Sequence, residues 1–350
     1  MSRDVIIEAL SKLGVFLSQF SSSDSQKNES PLNKQFYEPF SVAITSAKIN
    51  NGWFEEKQVR RALHALSSWL KPEVLRGWSS AYKWNNRPKK VAVIMAGNIP
   101  LVGFHDYVCV LISGHHLLVK LSSDDKVLLP LITKMLCCIN PKFDEVVLFT
   151  ESIIKDFDAV IATGSNNTSR YFNYYFSMHP NIIRKNRNSV AILTGNETKE
   201  ELESLGNDVF AYYGLGCRNI SKLYVPKAYN FDLLFEAFYK YKDVLDNKKY
   251  ANNFDYYRAL FLMGGNQMLE NGFLLLREDT ALSSPISMLH YEYYDGLEEL
   301  SEHLWTISSQ IQCLVSTLEL ENSFDLGKAQ SPAIDDYADG VDTMKFLMNL

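Results

Sequence analysis

The sequence predicts an α/β protein built on a parallel β-sheet, and three observations indicate this class. From residue 91 onward, apolar runs of strand length alternate with segments of helical periodicity, as in βαβ units. Of the 350 residues, 46% are hydrophobic and 22% are charged, which is typical of globular proteins. The length predicts about two domains.

The composition excludes several classes of protein. A formal charge of −6 argues against a dedicated nucleic-acid binder, which needs a basic surface. Five cysteines without a C-x-x-C motif indicate reduced thiols, and His115-His116 has no third ligand at metal-site spacing, so no metal is expected. The sequence has no apolar run long enough to span a membrane and no signal peptide, so we expect a cytoplasmic protein.

The residues before the predicted sheet show helical patterns. Apolar residues recur at helical spacing over residues 4–20 and again over 52–70. Asn50 or Asn51 is the expected cap of the second helix. These patterns predict a helical region in front of the sheet.

The first series of strands and helices follows. Val91–Ala96 is an uninterrupted apolar run, as expected of a strand that is buried on both faces of a parallel sheet. Gly97-Asn98-Ile99-Pro100 ends this strand, and a helix is predicted up to Ile112. Further strands are predicted at 117–121, 146–149 and 159–162, with a helix over 126–139.

A second series begins near residue 185. Strands are predicted at 189–193 and 221–225, with a helix over 198–210 between them. The tail predicts a loop followed by a short C-terminal helix. The sequence therefore predicts a second α/β unit.

Cys217 is the first residue with candidate chemistry. It follows Gly214-Leu215-Gly216 and precedes Arg218. Glycines allow close backbone approach, and a thiol near a cation or amide dipoles can act as a nucleophile. A buried structural cysteine fits the same residues, so the spacing alone leaves both interpretations open.

Two turns at predicted strand ends are further candidates. Asn98 follows the first strand, at the edge where open α/β sheets bind ligands, and its amide can donate to an oxyanion. Gly164-Ser165 follows the strand at 159–162 and precedes a helical run, a place where a phosphate can bind. Taken alone, Asn98 is better explained by an ordinary turn, and such a turn explains Gly164-Ser165 equally well. No G-x-G-x-x-G motif follows the first strand.

The order of these motifs resembles the aldehyde dehydrogenase superfamily. Within it, the sequence is most similar to the long-chain acyl-CoA reductase family, typified by the LuxC fatty acid reductase of bacterial luminescence. Further similarity lies in Ile182–Ala191, in Gly327–Pro332 and in Asp336–Met344. The resemblance covers roughly residues 85–345 and implies an aldehyde-dehydrogenase-like fold.

The resemblance also implies roles for individual residues. Cys217 falls at the catalytic nucleophile and Asn98 at the oxyanion-stabilising asparagine. Positions that contact the cofactor are implied for Lys120, Ser122, Ser123, Gly164, Ser165 and Glu278.

Two departures from the superfamily pattern carry information. Where aldehyde-oxidising members have a glutamate as general base, this chain reads Arg184-Lys185-Asn186-Arg187. Hydride reduction of a thioester needs no activated water, so this difference favours acyl-CoA reduction. Ser122-Ser123 stand where NAD-preferring members have an acidic residue, which favours NADPH over NADH.

The resulting expectation is an enzyme that reduces acyl-CoA to aldehyde through Cys217. The expected regions are a helical region at 1–84, a Rossmann-like cofactor domain at 85–184, a catalytic domain at 185–325 and a tail at 326–350. Alternatives are a CoA-acylating dehydrogenase, an acyl-phosphate reductase, and a non-catalytic subunit that binds acyl groups or a partner. The resemblance also allows a homo-oligomer and an acyl-protein synthetase partner.

Overall fold

The computed structural model describes residues 1–23, 26–84 and 87–350. It divides into two compact units, one formed by residues 1–185 with 333–350 and the other by 186–332. The expected start of the cofactor domain, residue 85, lies outside the described residues. The assignment of four functional regions stays a prediction.

The first unit contains a five-stranded parallel sheet in the order β3-β2-β1-β4-β5. Its strands are β1 (Lys90–Ile94), β2 (His116–Lys120), β3 (Val147–Phe149), β4 (Ala159–Thr163) and β5 (Asn181–Arg184). Val91, Ala92 and Val93 are buried, which explains the uninterrupted apolar run that predicted β1. The predicted parallel sheet is confirmed.

Helices cover this sheet and form the region before it. They are α1 (Arg3–Ser18), α2 (Asn33–Asn50), α3 (Glu56–Trp69), α4 (Pro72–Ser80), α5 (Phe104–Ile112), α6 (Leu128–Ile139), α7 (Phe143–Val146) and α8 (Asn166–Phe176). One apolar core joins α1, α2 and α3 to the helices that flank the sheet. The predicted cap of the second N-terminal helix is wrong: Glu55 precedes α3, without a side-chain cap, and Asn51 instead ends α2.

The second unit has a seven-stranded sheet in the order β12-β11-β6-β7-β10-β9-β8. Its strands are β6 (Asn188–Ile192), β7 (Ile220–Pro226), β8 (Leu269–Glu270), β9 (Leu275–Glu278), β10 (Met288–Tyr294), β11 (Ile311–Ser316) and β12 (Ser323–Phe324). All neighbouring pairs are parallel except β8 with β9. Its α-helices are α9 (Lys199–Phe210), α10 (Phe231–Phe238), α11 (Lys248–Met263) and α12 (Leu297–Thr306). Short 3-10 helices are Ala211–Gly214, Tyr239–Asp246 and Ser308–Gln310.

The C-terminal segment returns to the first unit, where it forms the 3-10 turn Ala338–Gly340 and α13 (Thr343–Met348). A buried ion pair between Arg184 and Asp106 lies beneath it, and Arg184 also donates a 2.9 Å hydrogen bond to Thr343 Oγ1. His115 accepts from the Lys89 N–H and donates to the Leu347 carbonyl oxygen at 2.8 Å. These buried polar contacts join β5, α5 and α13, and they give Arg184 a structural role.

Candidate functional site

The carboxyl ends of β1, β2 and β4 meet at one edge of the first sheet. In the strand register Ile94 pairs with Lys120 on one side and with Ala162 on the other. The chain runs outward from β1 in both directions, so β1 and β4 flank the topological switch point, where open α/β sheets bind ligands. Asn98, Ser122 and Gly164 all follow strands that end at this edge.

The Asn98 turn has a constrained backbone. Asn98 is exposed, and Leu101 adopts a left-handed φ of 58° although it is buried. The Leu101 N–H donates a 2.6 Å hydrogen bond to Asp125 Oδ2. Burial raises the pKa of Asp125 to about 6, and this hydrogen bond opposes the rise. Asp125 therefore fixes the backbone three residues after Asn98, a contact that its adjacent, exposed neighbour Asp124 does not make.

The loop after β2 carries three of the predicted cofactor contacts. Lys120 donates a 2.9 Å hydrogen bond to the Ser152 carbonyl oxygen. Ser122 Oγ accepts from the Asp124 N–H, and Ser123 is exposed. An added Cβ on Gly97 would lie 2.6 Å from Ser122 Oγ, so the first two loops touch only because residue 97 is glycine. Asp124, which directly follows Ser122-Ser123, places an exposed carboxylate in the same loop.

The turn after β4 leads directly into α8. The Gly164 N–H donates to the Arg184 carbonyl oxygen, and Ser165 caps α8 by accepting from the Thr168 N–H. An added Cβ on Gly164 would lie 3.0 Å from the ring of Phe172. The helix N-terminus thus points to the same edge as Asn98 and Ser122, with the Ser165 hydroxyl engaged in capping.

Cys217 lies in the second unit, on the turn between the 3-10 helix Ala211–Gly214 and β7. Its side chain is exposed, whereas Cys109 and Cys313 are buried. Tyr212 and Tyr213 precede it with left-handed φ values of 51° and 58°, and Gly214 follows at 80°. Such conformations cost roughly 1–2 kcal/mol per non-glycine residue, so packing and hydrogen bonds must hold this segment in place.

The arginine beside Cys217 is directed to the C-terminal part of the unit. Arg218 donates a 3.2 Å hydrogen bond to the Ala329 carbonyl oxygen, and its guanidinium carbon lies 5.4 Å from the centre of the Phe324 ring. These contacts join the Cys217 turn to the segment that carries Gly327–Pro332. Two motifs more than 100 residues apart in the sequence are therefore in contact within the second unit.

Glu278 is exposed at the end of β9, and the segment after it is held by side chains of β7 and β10. The fully buried Lys222 ammonium donates to the Asp279 carbonyl oxygen and to Glu292 Oε2, each at 2.6 Å. Ser221 and His290 bond the carbonyl oxygens of Leu282 and Ala281. The hydrogen bond from the Ala281 N–H is the largest cause that lowers the pKa of Asp279.

The remaining cysteines and aromatic residues of the first unit lie outside this edge. Of the vicinal pair Cys137-Cys138, Cys137 is half-buried and Cys138 is exposed, with Sγ 3.8 Å from Gln35 Oε1. Phe172 and Phe176 pack on Phe157 beside β4. Within the described ranges 1–23, 26–84 and 87–350, no cluster of three or more acidic, histidine or cysteine side chains is placed to bind a metal ion. No helix in those ranges combines the length and hydropathy needed to cross a bilayer.

Comparison with solved structures identifies the fold as that of aldehyde dehydrogenases. Aldehyde dehydrogenase 21 from Physcomitrella patens, solved with the reaction product succinate, aligns with a TM-score of 0.67 and 12% identity over 100% of this chain and 84% of its own. The aldehyde dehydrogenase KauB from Pseudomonas aeruginosa aligns with a TM-score of 0.64 and 14% identity over 92% and 73%. Indole-3-acetaldehyde dehydrogenase from P. syringae, solved with NAD+, gives 0.63 and 14% over 98% and 78%.

The fold and the sequence together define an oxidoreductase that acts on an aldehyde or acyl-CoA. The sequence model of the acyl-CoA reductase (LuxC) family matches residues 25–233. The chain belongs to this family. A search of curated proteins gives no match.

Proposed function

We propose that this protein reduces long-chain acyl-CoA to aldehyde, with NADPH as reductant and Cys217 as nucleophile. The observation that carries the proposal is the exposed Cys217 thiol on a conformationally constrained turn, in a chain of the acyl-CoA reductase family. Buried cysteines such as Cys313 are sterically withdrawn from a substrate. The exposure of Cys217 therefore supports a role as a nucleophile better than a role as a structural cysteine.

In this proposal Cys217 exchanges one thioester for another. Its thiolate attacks the carbonyl carbon of acyl-CoA, and the bond from that carbon to the CoA sulfur breaks, so that CoA leaves as a thiol after taking up a proton. The family resemblance assigns stabilisation of the oxyanion to the Asn98 amide and the Cys217 N–H, and one such donor is worth about 10²–10³ in rate. When bound, a reduced nicotinamide would supply the hydride that reduces the acyl group on Cys217 to the aldehyde. Cys217 then leaves as a thiolate and is ready for another acyl group.

The edge of the first sheet fits a nicotinamide nucleotide. It combines a switch point, the N-terminus of α8 and two glycines: Gly97 lets the loops after β1 and β2 come into contact, and Gly164 lets the turn after β4 pack against Thr168 and Phe172 of α8. Ser122 and Ser123 provide neutral hydroxyl donors, which suit a ribose phosphate. Asp124 is the exposed carboxylate beside them and is the residue that opposes this choice. Glu278, at the end of β9, is assigned to the nicotinamide ribose.

The lack of a carboxylate in the segment 184–187 supports reduction over hydrolysis. Of the segment Arg184–Arg187, Arg184 is buried against Asp106, and Arg187 donates to the Ile311 carbonyl oxygen. None of the four side chains is a carboxylate that could activate water. The thioester on Cys217 should therefore hydrolyse slowly and persist until it is reduced by hydride.

An exposed apolar surface on α8 and the turn after it supports an oligomer. This face consists of Tyr171, Tyr174 and Tyr175 of α8 and Met178 of the following turn, and Tyr174 and Met178 are 79% and 90% exposed. We propose that the protein forms a homo-oligomer through this face. Light scattering gives the molar mass of the wild type and of the double variant Tyr174→Glu/Met178→Glu. The wild type should be an oligomer and the variant a monomer, and a monomeric wild type would contradict the proposal.

The proposed function is tested by product analysis. Purified protein is incubated with NADPH and, in separate reactions, with a long-chain acyl-CoA or an acyl phosphate, and aldehyde is measured. The reverse reaction is assayed with aldehyde, CoA and NADP+. Cys217→Ala should abolish aldehyde formation, whereas Cys138→Ala, which removes the other exposed thiol of the described residues, should retain it. Acyl phosphate as the better substrate, or an active Cys217→Ala variant, would overturn the proposal, and binding without any product would indicate a non-catalytic subunit.

A further inference from the structure

Asn219 lies two residues after Cys217 and is 3% exposed. The side-chain oxygen of Asn219 accepts a 2.8 Å hydrogen bond from the Gly216 N–H, and the backbone N–H of Asn219 donates to the Gly216 carbonyl oxygen at 3.0 Å. These two bonds close the turn Gly216–Asn219 around Cys217. The position of Cys217 within the turn is thus set by the side chain of Asn219.

The amide group of the same side chain anchors this turn to α9. Asn219 Nδ2 lies 2.9 Å from the Asp208 carbonyl oxygen, 3.3 Å from that of Val209 and 2.8 Å from that of Ala211. The last carbonyl groups of a helix have no partner within the helix, and they need a donor from elsewhere. Here α9 ends at Phe210 and the backbone turns into left-handed residues, so Asn219 supplies the donor from downstream.

A second buried side chain holds Cys217 from the opposite direction. Ser189, which is fully buried on β6, donates a 2.8 Å hydrogen bond to the Cys217 carbonyl oxygen and accepts one of 3.0 Å from the Cys313 N–H. The backbone on one side of Cys217 is therefore tied to Asn219 and on the other side to β6. Only the Cys217 side chain is left exposed.

We propose that Asn219 is a positioning residue for the Cys217 nucleophile, with Ser189 as the second anchor. The inference rests on the proposed function of Cys217. Asn219 acts through the backbone: it holds the left-handed segment and the thiol in one arrangement before the substrate binds. Misplacing a reacting group by about 1 Å can cost about 100-fold in rate. Loss of Asn219 should therefore slow acyl transfer much more than it slows a reaction that any exposed thiol undergoes.

The test compares two reactions of the same thiol in the full-length protein. Acyl transfer from acyl-CoA is followed by intact mass spectrometry without NADPH, and alkylation by iodoacetamide is followed at the same pH. Asn219→Ala and Ser189→Ala are compared with Asn271→Ala, a control that removes a side chain accepting two backbone N–H groups at the turn between β8 and β9. The folded fraction of each variant is measured by circular dichroism. Ser189→Ala keeps the test available if Asn219→Ala does not fold.

We expect acyl transfer to fall about 10–100-fold in Asn219→Ala, with alkylation within about threefold of the wild type. Asn271→Ala should leave both rates unchanged. Acyl transfer within twofold of the wild type in the folded variant would overturn the inference. A fall of acyl transfer that is no larger than the unfolded fraction accounts for would also overturn it, because it shows a structural role alone. Failure of the proposed function is recognised separately, since the wild type itself would then not acquire an acyl group at Cys217.

Discussion

The buried carboxyl group of Asp125 leads to a prediction about stability and pH. The side chain is 9% exposed, and burial raises its pKa from 3.8 to about 6. In the unfolded chain the pKa returns to near 4. Between about pH 4 and pH 6 the folded protein therefore holds a proton that the unfolded chain has lost. The free energy of unfolding falls as the pH rises through this window, and this contribution is constant above it.

The size of the effect follows from the shift. A difference of about two pKa units corresponds to about 3 kcal/mol. Asp125→Asn replaces the carboxylate with a neutral group of the same shape, whose oxygen can still accept from the Leu101 N–H. We expect the variant to be more stable than the wild type at pH 7.5, by up to about 3 kcal/mol, and the two to converge near pH 4.

The assay is urea unfolding between pH 4 and pH 8, followed by tryptophan fluorescence. Four of the five tryptophans, Trp53, Trp69, Trp78 and Trp84, belong to the unit that contains Asp125. Asp124→Asn is the control, because it removes the adjacent carboxylate, which is exposed. This variant should show the same pH dependence of stability as the wild type. Parallel pH profiles for wild type and Asp125→Asn, or a less stable variant at pH 7.5, would refute the reasoning about burial.

Three further predictions concern the cofactor, the acyl-enzyme and the buried ion pair. The wild type should have a higher kcat/KM for NADPH than for NADH, and Ser123→Glu should reverse this order. If the wild type prefers NADH and Asp124→Ser changes that preference, then Asp124 selects the cofactor instead. Without NADPH, release of free fatty acid from acyl-CoA should be slow, and rapid release would reveal a general base. Arg184→Met should cost about 3–5 kcal/mol in urea unfolding because it leaves Asp106 charged and buried, and the double variant with Asp106→Leu should recover most of this loss.

Local pattern was sufficient for the elements that form the sheet edge. The apolar run 91–96 and its Gly-Asn-x-Pro ending predicted β1 and the Asn98 turn, since a strand buried on both faces leaves a continuous apolar signal. The helix predicted over 198–210 is α9, whose capping box at Thr198 and Glu201 is a local signal. The ordered motifs gave the family, which the match over residues 25–233 confirms.

Other elements left no clear signal in the sequence. Helix α2 contains Pro39 in its interior, a residue that normally argues against a helix. Helix α11 buries only Tyr250 and Phe254, while apolar residues such as Met263 are exposed, so hydrophobic periodicity does not mark its buried face. Both helices were absent from the sequence-based expectations.

The supporting residues of the candidate site depend on tertiary structure. Asp124 and Asp125 are adjacent residues of the same type, but the fold buries Asp125 and leaves Asp124 exposed. Asn219 acts on carbonyl groups 8–11 residues earlier, and Ser189 on a carbonyl group 28 residues later. Turn residues such as asparagine and serine are common everywhere, so their partners cannot be predicted from spacing alone. The proposed nucleophile Cys217 lies in a recognisable sequence motif, whereas Asn219 and Ser189, which hold its backbone, have none.

Trapping the acyl-enzyme tests the central claim most directly. Wild-type protein is mixed with a long-chain acyl-CoA in the absence of NADPH, and its intact mass and peptide masses are measured before and after NADPH is added. The account predicts the mass increase of a single acyl group, located on Cys217, which disappears together with aldehyde formation once NADPH is present. An unmodified Cys217, or an acyl group on Cys138 that turns over in its place, would contradict it.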